Sequence, residues 1–250
     1  MASDSQKSRP LVSILIPAYN EASTFEALFD RVQAKEIEGC NKEIIIIESA
    51  STDGTREMVQ KRDKEPGVRA IYQERAKGKG AALKEGFKAA RGDYILIQDA
   101  DLEYDVNDYD ILLEPLMKNH ADFVLGSRHM GAGSWKIRKF DSHIKTSFLM
   151  NFGDWLFKTL FNVLYGVTLT DPTTMFKVFK RKCLTGIEFE SDRFDLDWEI
   201  VGRFIRRGYP PLEVPVSYNA RHFEDGKKIN VYRDPWLWIW VIFKFAFKKA

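Results

Sequence analysis

The chain has 250 residues, room for one large α/β domain or two small ones, and its 44% apolar content allows a substantial core. Lys and Arg number 38 against 36 Asp and Glu, a net charge of +2 that removes any general electrostatic argument for a nucleic-acid partner.

In chain order, residues 1–9 are polar, lack the apolar run of a signal peptide and read as a disordered tail. Residues 11–16 form a short apolar strand ending at Pro17. Residues 22–34 have helical spacing, with Phe25, Leu28, Phe29 and Val32 on one face. Residues 43–47, rich in isoleucine, read as a strand buried on both sides. Asp53-Gly54-Thr55 opens a helix to about Arg62, with Asp53 placed as its N-cap. A strand at 68–72, an Ala-rich helix at 80–90 stopped by Gly92, and strands at 94–98 and 123–126 complete the regular part. Residues 131–142 form a Gly- and basic-rich loop, and 144–165 a long amphipathic helix. Strands at 174–180 and 213–218 bracket a helix starting near Asp197 and Trp198. Cys40 and Cys183 have no metal-type spacing and suggest two ordinary thiols in a reducing compartment.

Strands alternating with helices predict an α/β fold, a doubly wound and mostly parallel sheet with helices on both faces. Ligands of such sheets bind beyond the carboxyl ends of the strands. Asn20 and Glu21 follow the first strand, Glu48 ends the second, Lys77 and Lys79 follow the third, and Asp99 and Asp101 end the fourth. No repeat or linker interrupts the chain. One domain is expected over 10–232, with an aromatic accessory helix at 233–250.

Asp99-Ala100-Asp101 follows a buried strand, and alternation points the two acids the same way. Such close like charges repel unless a cation lies between or beside them. A hard ion such as Mg2+ or Mn2+ is the natural partner, and Glu103 continues the same parity. The bland reading is that these acids only end a strand and cap the next turn. Lys77 and Lys79, taken alone, read as a solvated turn before a helix.

Four segments occur together in order: Ile16-Pro-Ala-Tyr-Asn-Glu21, Glu48-Ser-Ala-Ser-Thr-Asp-Gly-Thr55, Lys77-Gly-Lys-Gly-Ala-Ala82 and Gln98-Asp-Ala-Asp-Leu-Glu-Tyr104. As a set they resemble the family 2 glycosyltransferases, which have the GT-A fold. Gly126-Ser-Arg128, Asp171-Pro-Thr-Thr-Met-Phe-Lys177 and Glu224-Asp-Gly-Lys-Lys228 bring the chain nearest the polyprenyl-phosphate and dolichyl-phosphate sugar synthases within that family. The resemblance implies a nucleotide pocket lined by Pro17, Ala18, Asn20 and Glu21, with Asp53 of the second segment beside them. Glu48 would contact base or ribose, although Glu48-Ser49-Ala50-Ser51 departs from the usual Asp-Asp-Gly-Ser. Lys79 would sit near the nucleotide. Asp101 and Glu103 would ligate the metal, and Asp99 would face the donor or add a ligand. Metal and lysines suit the departing diphosphate anion.

On the acceptor side, the resemblance implies that Arg128 binds a lipid phosphate, with Arg138 and Ser142 as a second pair. A guanidinium fork fits a phosphate bidentately. A basic surface loop explains Arg138 equally well. Family members that glycosylate hydroxyls carry a Glu-Asp pair whose Asp is the base. Here the stretch reads Phe194-Asp-Leu-Asp-Trp-Glu-Ile200, leaving Asp197 and Glu199 as candidate bases or as a helix N-terminal acidic cluster. Lys227 and Lys228 would close over the diphosphate as a lid, or belong to a solvated loop.

The expected function is metal-dependent, inverting transfer of a hexose from a UDP- or GDP-sugar to a polyprenyl phosphate at the cytoplasmic membrane face. Transfer to a glycan or small-molecule hydroxyl, and a nucleotide-sugar-binding module without turnover, stay open, as does a homo-oligomer. No segment reaches the roughly 20 apolar residues of a membrane span. The aromatic run from Trp236 to Phe247 is either a buried closing helix or an interfacial one meeting a membrane surface.

Overall fold

A computed structural model describes residues 9–132, 144–219 and 234–248. Its centre is a seven-stranded sheet ordered β3-β2-β1-β4-β6-β5-β7. The strands are β1 (Leu11–Ala18), β2 (Asn41–Glu48), β3 (Val68–Tyr72), β4 (Tyr94–Ile97), β5 (Phe123–Ser127), β6 (Lys177–Lys180) and β7 (Leu212–Pro215). Parallel pairs join β1 to β2 and β4, β2 to β3, and β5 to β7; β6 alone runs antiparallel, between β4 and β5. Six strands therefore end at one edge of the sheet, and β6 begins there.

The helices are α1 (Phe25–Ala34), α2 (Thr55–Arg62), α3 (Lys79–Ala89), α4 (Tyr109–Met117), α5 (Arg128–Ala132), α6 (Ile144–Tyr165), α7 (Leu196–Arg206) and α8 (Asp234–Phe247). α1 buries Phe25, Leu28, Phe29 and Val32, the predicted stripe. β2 is buried without a break from Glu43 to Glu48, so both faces of that strand are covered. Each isoleucine buried there contributes about 1.5–3 kcal/mol. α7 and α8 pack on one another, and both contact α6.

β1 runs on through Pro17, past the stop that the sequence predicts. Pro17 is in register with Ile47 of β2, but β4 pairs only as far as Leu15, so the missing N–H faces no strand. α4 contains Pro115, and the carbonyl that loses its donor belongs to the exposed Ile111. The last strand stops at Pro215, and Tyr218 forms only an isolated bridge with Tyr104. Cys40 and Cys183 are free, buried thiols. Among the described residues no helix is long and apolar enough to cross a membrane.

Candidate active site

β4 lies beside β1 although β1 leads first to β2 and β3, so the strand order reverses between them and opens a crevice at their ends. Thr24 bridges it, donating to the Ala100 carbonyl at 3.1 Å. Pro17 and Ala18 are the last residues of β1 itself. The loops after β1 and β2 are knotted together by side-chain to backbone bonds. Thr52 N donates to Asn20 Oδ1 at 2.8 Å, Asn20 N to Ser51 Oγ at 3.0 Å, Glu21 N to Thr55 Oγ1 at 2.9 Å and Ala22 N to Asp53 Oδ2 at 3.0 Å. Asn20 and Ala50 hold positive φ angles of 49° and 55°, unusual outside glycine and typical of strained site loops.

Asp53 is not the N-cap. That position belongs to Gly54, at φ 98°, while Asp53 accepts from Thr55 and ties α2 to the first loop. Burial raises the Asp53 carboxyl, but the hydrogen bonds from Thr55 and Ala22 outweigh it and hold the group below its ordinary value. Glu48 is fully buried; it accepts from Ser51 N at 2.6 Å and lies 3.2 Å from Arg56 Nη1. Arg56 in turn stacks over Tyr72. Glu48 thus organises its own loop from within.

Lys79, the first residue of α3, makes an ion pair with Asp99 across the crevice. Gly78 and Gly80 around it do not form a phosphate cradle. They admit the backbone of residues 192–193: Ala81 N donates to the Asp192 carbonyl at 2.9 Å, and a Cβ on Gly80 would lie 2.7 Å from the Asp192 carbonyl carbon. Beyond β4, Glu103 N donates to Asp101 Oδ1 at 3.1 Å, and Tyr218 donates to Glu103 Oε2 at 3.0 Å. No group of three or more His, Cys, Asp or Glu among the described residues is assembled to hold a metal. Two adjacent carboxylates with oxygen donors only do suit a hard cation that keeps waters and takes the rest of its shell from a diphosphate.

The other half of the edge is built from buried charge. Arg128, directly after β5, lays its fork on Asp171 with Nε–Oδ2 and Nη2–Oδ1 both at 2.7 Å. Burial alone would lower the Arg128 guanidinium, but Asp171 overrides it and holds it well above its ordinary value. Asp171 and Thr170 are anchored through their N–H groups to Glu213. Lys177 opens β6 fully buried and reaches Asp197 at 2.8 Å and the Thr174 carbonyl. Burial pushes its ammonium down, with Asp197 opposing.

Glu199, the other candidate base, is fully buried. Its carboxylate accepts from the N–H groups of Glu190 and Ser191 and from Arg203, which makes it a brace for the 190–191 turn. Arg138, Ser142, Lys227 and Lys228 lie outside the described residues. Sequence reasoning assigned no role to Asp171, Lys177, Thr24 or Tyr218. The quoted segment from Asp171 to Lys177 was the available signal for the first two, since it carries opposite charges at both ends of a strand entry.

Comparison with known proteins gives the family and the fold. The model of the family described as "Glycosyl transferase family 2" matches residues 13–186. A dolichol-phosphate mannosyltransferase of Pyrococcus furiosus is 28% identical over 84% of this chain and 57% of its own length. A dolichyl-phosphate beta-glucosyltransferase of Dictyostelium discoideum is 29% identical over 88% of the chain and 69% of its own. The chain thus spans little more than half of the first of these relatives. Among solved structures, glucosyl-3-phosphoglycerate synthase of Mycobacterium tuberculosis, in complex with Mn2+, UDP and glucosyl-3-phosphoglycerate, superposes with a TM-score of 0.70. It is 18% identical, and the match covers 95% of this chain and 80% of that one, a likeness of fold.

Proposed function

Because the chain belongs to glycosyl transferase family 2, we propose that it moves a hexose, with inversion and with a divalent metal, from a UDP- or GDP-sugar to a polyprenyl or dolichyl phosphate. The observation that carries the acceptor is the state of the acids at the start of α7. Asp197 is buried and taken up by Lys177, and Glu199 is buried under the N–H groups of Glu190 and Ser191, so neither carboxylate is presented to an acceptor. A hydroxyl acceptor needs a base, whereas a phosphate monoester arrives already anionic. The names of the two relatives support the same choice.

On this reading the nucleotide lies along Pro17, Ala18, Asn20 and Glu21, above the loop that Glu48 and Asp53 hold in shape. Asp101 and Glu103 hold Mg2+ or Mn2+, which would neutralise the diphosphate as it leaves. The Mn2+ and UDP bound to the mycobacterial synthase support that use. Asp99 faces the donor, and Lys79 exchanges Asp99 for a phosphate oxygen when the donor enters. Arg128 presents Nη1, which its bonds to Asp171 and Thr173 do not use, to the acceptor phosphate. Arg138 and Ser142 would extend that anion site, and Lys227 and Lys228 would close over the diphosphate. An acceptor oxygen attacks the anomeric carbon as the bond to the nucleoside diphosphate breaks, and no proton has to be removed.

A lipid acceptor places the protein peripherally at a membrane. Trp236, Trp240, Phe243 and Phe247 are exposed in one stripe of α8, a surface suited to a lipid interface. The test is transfer from labelled UDP- and GDP-sugars with Mn2+ to polyprenyl phosphate, with and without chelator. Chelator-sensitive labelling of the lipid is expected. Transfer only to a sugar hydroxyl would reject the acceptor, and nucleotide binding without any turnover would leave a binding module.

A further inference from the structure

The segment after β7 crosses from the acceptor side of the edge to the donor side. Val216 N donates to the Ser127 carbonyl at 3.2 Å, and Asn219 N donates to the Glu103 carbonyl at 2.8 Å. Between these anchors Tyr218 bridges to Tyr104, and the two rings lie 5.1 Å apart. The Tyr218 hydroxyl donates to Glu103 Oε2 at 3.0 Å. The guanidinium of Arg128 lies over the face of the same ring, 5.2 Å from its centroid. One side chain therefore touches a proposed metal ligand with its tip and the acceptor-side arginine with its face.

A glutamate has three side-chain torsions to restrain before it can serve a cation, and a hydroxyl donating to one oxygen restrains them. Donors of this kind, behind the ligands of a metal, orient the carboxylate and tune its affinity. The Arg128 fork is fixed at one edge by Asp171, and a ring beneath its plane fixes the tilt that the pair alone leaves variable. We propose that Tyr218 is a positioning residue that sets the Glu103 carboxylate for the metal-bound diphosphate and the Arg128 plane for the acceptor anion. It thereby keeps the two half-sites in register. This deepens the reading above and rests on its assignment of Glu103 and Arg128.

The test uses the full chain and Mn2+ affinity in the presence of UDP or GDP, read from the electron-spin signal of free Mn2+. Tyr218→Phe keeps the ring and the backbone bridge, so its melting temperature should match the unsubstituted protein. Its Mn2+ affinity should fall about tenfold. In a Glu103→Gln background the same change should cost nothing further, because the hydroxyl acts through that carboxylate. Tyr218→Leu also removes the ring. It should raise KM for polyprenyl phosphate about two- to fivefold beyond Tyr218→Phe. Mn2+ affinity within twofold of the unsubstituted protein in Tyr218→Phe overturns the proposal. So does an equal loss in both backgrounds, or a lowered melting temperature with unchanged affinity. Failure of the underlying reading shows elsewhere, as no nucleotide-dependent Mn2+ binding by the unsubstituted protein.

Discussion

The two halves of the sheet edge hold their polar groups in opposite ways. At the ends of β1, β2 and β4 the loops are stitched largely by side-chain to backbone bonds, those of Asp53 and Glu48 included, and the Lys79 and Asp99 side chains remain 14% and 16% exposed. At β5, β6 and the start of α7 the charges are sealed: Arg128 and Asp171 are 9% and 1% exposed, Lys177 and Asp197 0% and 9%. A pair that keeps some contact with water gives up its partner to an incoming phosphate at less cost than a sealed one. In a sealed pair, removing one member leaves a buried charge uncompensated. The donor side is thus built to exchange partners and the acceptor side to stay as it is.

The largest effect should come from breaking the sealed side. Asp171→Leu leaves the Arg128 guanidinium buried without its anion and should cost about 3–5 kcal/mol in denaturant unfolding. Lys79→Met, in a pair that keeps some contact with water, should cost less, about 1–2 kcal/mol. Equal losses would erase the contrast between the halves.

Next is a change that spares the fold and strikes the chemistry. Asp101→Asn should leave the unfolding midpoint unchanged and lower kcat/KM about 10²–10³-fold in the transfer assay. A loss of stability instead would mean that Asp101 serves the turn and not a metal. Gly80→Ala probes the seam where the halves meet. Its Cβ would press on the Asp192 carbonyl carbon, and unfolding should register about 1–3 kcal/mol.

The smallest effect is at Glu190, which clasps α8 through Lys244 and Lys248. Hydrogen bonds from Lys244 and then Lys248 draw its carboxyl from the ordinary 4.5 down to about 2. A carboxylate depressed in the folded state contributes stability that is complete above 4.5 and is lost as pH falls toward 2. The side chain is 40% exposed, so the contribution should stay under about 1 kcal/mol. Thermal melts of Glu190→Gln and the unsubstituted protein should differ slightly at pH 7 and converge as pH falls through that window. A gap that persists at pH 2 would show that the clasp works through packing.

The same contrast explains what could be read from the amino-acid order. The strand at 68–72 and the helices at 55–62 and 144–165 coincide with β3, α2 and α6, because local apolar spacing and Gly or Pro punctuation determine them. The groups at the ends of β1, β2 and β4 were legible too, since each follows its strand directly. α4 was not, because Pro115 reads as a stop until Ile111 is seen to face solvent. The sealed pairs were illegible for a topological reason. Arg128 and Asp171 stand 43 residues apart, and they meet only because β6 runs backward and begins where β5 ends. Glu103 and Tyr218, 115 residues apart, depend on the last strand stopping early.

The contact of Gly78 and Gly80 with residues 192–193 carries an asymmetry that a comparison of natural variants would expose. On one side nothing larger than hydrogen fits; on the other the contact is made mainly by main-chain atoms, with the exposed Asp192 side chain turned to Lys84 and only the Arg193 Cγ against Gly78. Sites 78 and 80 should therefore be intolerant to every replacement, while 192 and 193 vary at the cost of no more than an exposed ion pair with Lys84. Covariation would be blind to this joint, because one partner never varies and the other varies with little consequence. A single-residue deletion between Ser191 and Asp195 should do what no substitution at 192 can, sliding the carbonyl past the Ala81 N–H and uncoupling the donor loop from α7.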